Sequence, residues 1–398
     1  MTLATSPPTT SAPDAAPPVG RRQRLVTELR LAAPAISLYV GLKVLGILVF
    51  LAMANYADLD WLKDIGNRWD SVHYTKIALH GYGDHLIYGN DGRLVYGVNR
   101  QAFFPLYPML MRWGSWLGVS TTVAGMLVSG VSSLLAAWGL YKVGAHLRDR
   151  TTGIMMAGLF AVVPTAHVQW LVYTESLFIA LTVWALYSAI RHRWVLAGLI
   201  CVVAGLSRPT SAAVIGAVGL AAIWALIKRK DGLRPLAAMV LAPLGLLFYL
   251  VYLAVRYDKP NAYFLIQDQS WGETFDWGDT TWRNVLESTA TMWPQQFQHY
   301  ITTMVLIALP ALVFFMLREK LPLALNAFVL ASLPLVLLVH HWPAIIPRYL
   351  MPLFPLLLPV AAGLAKTRAS TRYTLLITLG AASGWYATWF FWNWATAP

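Results

Sequence analysis

Eleven apolar stretches, separated by short polar or basic segments and two longer ones, dominate the hydrophobic pattern of the chain. A helix that crosses a bilayer needs about 17 to 25 predominantly apolar residues, and most of these stretches reach that length. The pattern therefore predicts an all-α polytopic membrane protein with about eleven transmembrane helices. The predicted spans are residues 35–54, 121–141, 151–165, 171–190, 194–207, 209–227, 235–255, 300–317, 321–339, 348–365 and 374–394.

Two segments between the predicted spans are long, at about residues 55–120 and 256–299. Loops of this length are usually functional or disordered, and their many Trp, Tyr, Phe and Gly residues favour order. Within the first loop, residues 104–118 are apolar but interrupted by Pro105 and Pro108. We expect both loops to carry interfacial helices, and residues 104–118 to form an interfacial or re-entrant helix that does not cross.

The N-terminal segment differs from the rest of the chain in composition. Residues 1–33 are rich in Pro, Thr, Ala and Ser, and this composition predicts a disordered cytoplasmic tail. We assign residues 34–398 to a single membrane domain.

Composition supports the membrane assignment. Hydrophobic residues make up 58% of the 398 residues and charged residues only 12%, whereas soluble domains carry about 25% charged residues. The single cysteine, Cys201, lies in an apolar run, which excludes an internal disulfide and a cysteine metal cluster. We predict neither a metal site nor a cofactor.

The formal net charge of +12 follows membrane topology. With the N-terminus in the cytoplasm, the segments predicted to be cytoplasmic hold 18 basic and 5 acidic residues, and the outer segments hold 11 and 13. This distribution obeys the positive-inside rule, so the basic charge does not indicate a nucleic-acid partner. Residue usage resembles that of a bacterial protein, and we expect a multi-pass protein of the bacterial plasma membrane.

The first long loop contains the strongest candidate for chemistry. If residues 70–80 form a helix, Asp70 lies in its first turn and His73 lies one turn later on the same face. Asp70 could simply cap this helix. Its aromatic neighbours and its position close to the membrane favour a functional carboxylate instead.

Several short strings together resemble the GPI mannosyltransferase II (PIG-V) family of polyprenyl-phosphate-sugar-dependent glycosyltransferases. The similarity extends over about residues 60–355 and is specific only in combination. In one string, Pro209 and Thr210 depart from the pattern of the family. The strings are WDSVHY at 69–74, AFFPLYP at 102–108, YTESLF at 173–178, AGLSRPT at 204–210, QDQSW at 267–271 and PRYL at 347–350.

The resemblance implies a GT-C glycosyltransferase fold, with the active site formed by outer loops. It also implies a polyprenyl-phosphate-linked mannose donor, and Asp70 lies where the family places its catalytic base. One base acting in line would invert the anomeric centre. The acceptor would be a hydroxyl of a glycolipid or cell-envelope glycan on the extracytoplasmic face.

The remaining candidate residues follow from this chemistry. A departing phosphate needs cations, so we expect Arg348 to bind the donor phosphate, helped by Arg208 and His73. The other predicted substrate contacts are Trp69, Tyr173, Glu175, Gln267, Trp271 and His341.

Structural alternatives remain open for several of these residues. Arg348 and Arg208 could extend to lipid headgroups, and Glu175 could be favoured by a helix dipole. His341, next to His340, could be an interfacial residue.

Two other functions also remain open. A lipid-sugar transporter or flippase would need ionisable groups deep in the membrane, where Lys43 is a candidate. A related GT-C enzyme could use another sugar or a protein acceptor.

Overall fold

The computed structural model describes residues 21–58, 60–290 and 297–393. Within these ranges the protein is helical, and β-structure is limited to isolated antiparallel bridges between Tyr88 and Leu94 and between Phe275 and Val339. The helices, in chain order, are α1 Arg21–Tyr56, α2 Trp61–Asn67, α3 Asp70–His80, α4 Leu106–Ser115, α5 Thr121–Leu147, α6 Arg150–Val162, α7 Glu175–Ile190, α8 Trp194–Gly205, α9 Ser211–Ile227, α10 Arg234–Leu241, α11 Leu244–Arg256, α12 Ala262–Trp271, α13 Asp279–Ala290, α14 Phe297–Arg318, α15 Leu323–Leu337, α16 Ile346–Leu350, α17 Leu357–Ala365 and α18 Ala369–Asn393.

The predicted spans all contain helices, but their lengths vary. Four stretches are long and apolar enough to cross a membrane: Val26–Tyr56, Thr121–Leu147, Arg234–Arg256 and Phe297–Arg318. A bent pair, Pro343–Leu350 and Phe354–Ala365, would make a fifth, and five other apolar helices have 10 to 17 residues. The protein is thus an all-α, multi-pass membrane protein, while the count of about eleven crossings stays a prediction.

Prolines explain two departures from the predicted spans. The span 235–255 is broken into α10 and α11, and Pro243 immediately precedes α11. The span 348–365 is bent by 77° between α16 and α17, in a segment that contains Pro352 and Pro355. Proline lacks a backbone N–H and clashes with the preceding turn, which explains the interruption of the helices at these two positions.

The N-terminal boundary needs correction. Helix α1 begins at Arg21, so residues 21–33 are helical and do not belong to a disordered tail. Strong helix formers, mainly Arg, Leu, Gln and Glu, fill this stretch and extend the helix beyond its apolar part. The rest of the predicted tail, residues 1–20, lies outside the described residues.

The segment 104–118 forms the short helix α4. Its ten residues span about 15 Å, half the thickness of a bilayer core. It packs on α5, where the buried Tyr107 hydroxyl donates to the carbonyl of Gly125 and contacts Ser129 Oγ at 2.8 Å. This length is too short for a separate crossing, and the interfacial or re-entrant placement of α4 stays a prediction.

The two long loops pack against each other over one end of the helical bundle. The Gly97 amide donates to the carbonyl of Ser270 at 2.7 Å, and the Asn99 side-chain amide donates to Ser270 Oγ at 2.8 Å. The Trp271 indole donates to the Asn99 carbonyl at 3.0 Å. These bonds fix α12 of the second loop to the first loop, which also carries α3.

Candidate active site

The site begins at the turn that connects α2 to α3. Trp69 has φ 55° and ψ −139°, a conformation that a bulky residue adopts only under strain. Its ring packs edge-on against Phe390 and Phe391, with centroids 5.1 Å away in both cases. The last helix therefore holds the strained residue that precedes Asp70.

Asp70 is the first residue of α3, as the sequence predicted for a helix over 70–80. Its Oδ2 accepts a hydrogen bond from Arg348 Nη1 at 2.8 Å. The helix dipole favours a negative charge at this position, and the Arg348 guanidinium favours it further. The carboxylate side chain is 21% exposed, so it remains accessible to a ligand.

Arg348 is buried at the bend between α16 and α17, and its side chain is only 3% exposed. The guanidinium lies over the rings of Tyr173 and Tyr349, at 5.1 and 5.0 Å from their centroids. Its Nε is 3.2 Å from Glu175 Oε1. Arg348 therefore pairs with two carboxylates and is not extended towards lipid headgroups.

Glu175 links the two arginines. It is the first residue of α7, its side chain is 2% exposed, and it forms ion pairs with both Arg348 and Arg208. A buried carboxylate is tolerated only when it is paired, and here it balances the buried Arg348 and the partly buried Arg208. Asp70, Arg348, Glu175 and Arg208 thus form one continuous ionic chain, which we call the charge cluster.

Arg208 comes from the connection between α8 and α9. Its guanidinium lies 5.0 Å from the centroid of the Tyr349 ring, and Nη1 donates to Thr174 Oγ1 at 3.4 Å. Both arginines therefore contact the same aromatic ring, Tyr349. Two guanidinium cations beside the same Tyr349 ring make a suitable environment for a phosphate.

His73 lies one turn along α3 from Asp70, within an aromatic group. Its ring stacks on Phe103 at 4.9 Å and meets Trp271 edge-on at 4.9 Å. Burial lowers the pKa of His73 to about 4, against the charge of Asp70, which raises it, and together with the charges of Arg100 and Lys76, which lower it. The ring is therefore neutral at pH 7 and could offer a phosphate a hydrogen bond but not a charge.

Glu273 and His341 extend the site on the side of Tyr349. His341 Nδ1 lies 3.3 Å from Glu273 Oε1, and the Tyr349 hydroxyl donates to the same oxygen at 3.4 Å. Burial raises the pKa of Glu273, but contact with His341 and the nearby charges of Arg208 and Arg348 outweigh that effect. The pKa thus lies below its ordinary value, and Glu273 is ionised at neutral pH.

The structure brings most of the predicted residues together. Asp70, Arg348, Glu175 and Arg208 form the charge cluster, and Arg348 lies over the ring of Tyr173. His73 lies one turn along α3 from Asp70 and contacts Trp271, and His341 contacts Tyr349. Two predicted substrate contacts have other partners. Trp69 packs against the last helix, and the amide of Gln267 donates to the Tyr263 hydroxyl.

Two further candidate residues at the site, Tyr349 and Glu273, were not predicted from the sequence. Tyr349 lies inside the PRYL string, next to Arg348, so its position was available as a signal. Glu273 follows the QDQSW string by two residues, and its contacts with His341 and Tyr349 distinguish it from other acidic loop residues.

Among residues 21–58, 60–290 and 297–393, no three His, Cys, Asp or Glu side chains are grouped so that they could hold a metal ion.

Comparison with known proteins places these residues in context. A family profile described as Mannosyltransferase (PIG-V) matches residues 45–282, more than half of the chain. The matched region includes Asp70, Glu175, Arg208 and Glu273. No functionally curated protein matches the chain.

Two crystal structures of ArnT from Cupriavidus metallidurans share the fold. One is bound to undecaprenyl phosphate and the other is in the apo state, with TM-scores of 0.52 and 0.51 and sequence identities of 14% and 15%. Each match covers 83% of this chain and 62% of the ArnT chain, so this protein spans less than two thirds of that length. The similarity shows that the helices adopt the GT-C glycosyltransferase fold.

Proposed function

The chain belongs to the PIG-V family of mannosyltransferases, and from that premise we propose that it transfers mannose from a polyprenyl-phosphate donor to a hydroxyl group of a glycolipid or cell-envelope glycan. The observation that carries the proposal is the Asp70–Arg348 pair, a partly exposed carboxylate held against a buried cation. The lipid-linked donor is also suggested by the fold shared with ArnT, one structure of which contains undecaprenyl phosphate.

The chemistry requires a base and a stabilised leaving group. In the proposed reaction Asp70 takes the proton of the acceptor hydroxyl, whose oxygen attacks C1 of mannose. The bond between C1 and the phosphate oxygen breaks, and the electron pair leaves with polyprenyl phosphate. Attack from the face opposite the phosphate inverts the anomeric centre.

Arg348 and Arg208 would stabilise the charge that develops on the phosphate. Because Arg348 also binds Asp70, an incoming phosphate would compete with the carboxylate for the same guanidinium. Donor binding would therefore loosen the Asp70–Arg348 pair and leave the carboxylate available to the acceptor hydroxyl. Neutral His73 would contribute a hydrogen bond.

The proposed location is the extracytoplasmic face of a bacterial plasma membrane, with the N-terminus in the cytoplasm. This proposal rests on the distribution of basic and acidic segments along the chain.

The test is transfer of label from polyprenyl-phosphate-[³H]mannose by the purified protein in liposomes that contain lipids extracted from the source membranes. Asp70→Asn should lower the rate roughly 100-fold or more, since it removes the base. Asp84→Asn is the matched control, because Asp84 lies in the same loop with its side chain 88% exposed. Undiminished transfer by Asp70→Asn would remove Asp70 as the base.

The same assay separates the alternatives. A flippase would move the lipid between leaflets without forming a glycosidic bond. Its candidate residue, Lys43, donates to the Ala166 carbonyl at 2.8 Å, a contact that also suits a structural role. Polyprenyl phosphates carrying other sugars, and protein acceptors, would test the remaining GT-C activities.

A further inference from the structure

We propose that Glu273, oriented by His341, binds hydroxyl groups of the transferred sugar on the Tyr349 side of the two arginines. This inference rests on the proposed function and assigns a second carboxylate of the site to a separate task. It concerns recognition of the sugar and not the proton transfer by Asp70.

Glu273 is accessible to a ligand. Three carboxylates lie near Arg208 and Arg348, and the side chain of Glu175 is only 2% exposed between the guanidinium groups. Asp70 and Glu273, with side chains 21% and 28% exposed, are the two that a ligand can reach. One is assigned as the base, which leaves Glu273 free for a binding role.

Backbone hydrogen bonds hold the segment that carries Glu273 in place. Helix α12 ends at Trp271 and is followed by Gly272, which has φ 69° and turns the chain back, and the Glu273 amide then donates to the Gln267 carbonyl at 3.0 Å. The His340 amide donates to the Thr274 carbonyl at 2.7 Å, pairing this segment with the one that leads to α16. Glu273 is thus attached to the backbone segment that carries Arg348.

His341 and Tyr349 lie beside the Glu273 carboxylate. His341 is buried, its side chain is 4% exposed, and its ring meets Tyr349 edge-on at 4.9 Å. Its Nδ1 and the Tyr349 hydroxyl both approach Oε1 of Glu273, at 3.3 and 3.4 Å. Oε1 is therefore oriented by His341 and Tyr349, while the partly exposed carboxylate can accept hydrogen bonds from a ligand.

The chemistry of the donor fits this arrangement. A hexose attached to a phosphate presents neighbouring hydroxyl groups within a few ångströms of the phosphate oxygens. The arginines would bind the phosphate, and the Tyr349 ring that both guanidinium groups contact carries the hydroxyl that donates to Glu273, so the carboxylate lies one side chain away from the proposed phosphate site. An ionised carboxylate accepts hydroxyl hydrogen bonds that are roughly twice as strong as neutral ones.

The experiment compares two lipids. Binding of polyprenyl-phosphate-mannose and of polyprenyl phosphate without sugar is measured in nanodiscs, in the Asp70→Asn background that prevents turnover. Glu273→Ala should weaken binding of the mannosylated lipid about 10- to 100-fold and change binding of the bare lipid less than about threefold. Glu273→Gln, which preserves the shape of the side chain, should also weaken binding of the mannosylated lipid selectively, but by a smaller factor.

Two further variants complete the design. His341→Phe keeps a ring beside Tyr349 but removes the contact with Glu273, so it should also weaken only the mannosylated lipid. Asp279→Asn is the control, because Asp279 lies in the same loop with its side chain 57% exposed, and it should change neither affinity.

Equal weakening of both lipids, or of neither, by Glu273→Ala and Glu273→Gln would overturn the sugar-binding role. If the protein with Glu273 intact binds neither lipid, the proposed function fails and the sugar-binding role fails with it. The two failures are therefore distinguishable.

Discussion

Glu175 shows how the interior of this protein tolerates charge. Its carboxylate lies between Arg208 and Arg348, and each guanidinium also contacts the ring of Tyr349. Removing one partner from a buried ion pair leaves the other charge unpaired and poorly solvated. Glu175 should therefore matter to stability whether or not it contacts a substrate.

Glu175→Gln is expected to reduce the free energy of unfolding by about 3 to 5 kcal/mol, because Arg208 loses its buried counter-ion. Thermal unfolding in detergent can be followed with a thiol-reactive dye, since the only cysteine, Cys201, is buried in the native protein.

The control for this prediction is Asp84→Asn, which breaks an exposed ion pair with Arg256 and should cost less than about 1 kcal/mol. An equally small loss for Glu175→Gln would mean that the charge cluster is solvated and not buried.

The sequence predicted the members of the charge cluster because each lies inside a recognisable string. It could not predict their pairing. Asp70 and Arg348 are 278 positions apart, and their contact depends on how α3 and α16 are packed. Glu273 lies outside these strings, and the role proposed for it rests on its exposure and on its contacts with His341 and Tyr349.

At the level of elements, the first and last helices determine where α3 begins. Helices α1 and α18 approach so closely that a Cβ atom on Gly384 would lie 2.2 Å from the Gly46 carbonyl oxygen. The carbonyl of Phe391, two turns further along α18, accepts a hydrogen bond from Arg68 at 2.8 Å. The position of Asp70 is therefore coupled to the packing of α1 against α18.

Gly384→Ala should destabilise the protein by about 1 to 3 kcal/mol, because the added methyl group separates these two helices. It should also lower transferase activity beyond what the stability loss explains, since α18 supports Trp69. Melting temperature and initial rate, measured on the same preparations, check both parts.

Gly219→Ala in α9 is the matched substitution, because nothing lies within 4 Å of a Cβ atom there. It should be neutral or stabilising by up to about 1 kcal/mol. A Gly384→Ala protein that behaves like Gly219→Ala would show that the close packing of α1 and α18 is not required.

Hydrophobic runs predicted where the helices lie, but not how they end. Helix α1 continues to Arg21 because its polar residues are good helix formers, which an apolar window does not detect. The bend between α16 and α17 places Arg348 inside the protein, and no periodicity in the sequence indicates its angle.

At the level of the whole molecule, the placement of basic residues distinguishes the two ends of the helical bundle. Arg208 of the charge cluster lies at the connection between α8 and α9. The basic residues Arg191, Arg193 and Lys230 lie at the preceding and following connections, which a single helix separates from Arg208. The positive-inside rule then predicts that these basic connections face the cytoplasm and that the site faces outwards.

Cysteine labelling tests this orientation. In a Cys201→Ala background, Asp84→Cys places a thiol in the first loop, and Lys230→Cys places one at the connection between α9 and α10. Both native side chains are exposed, so each thiol should react once reagent reaches it. A membrane-impermeant maleimide should label Asp84→Cys in intact cells, and Lys230→Cys only after the cells are opened. The reverse pattern would place the charge cluster on the cytoplasmic side. The donor and acceptor proposed here would then have to reach the site from the cytoplasmic leaflet.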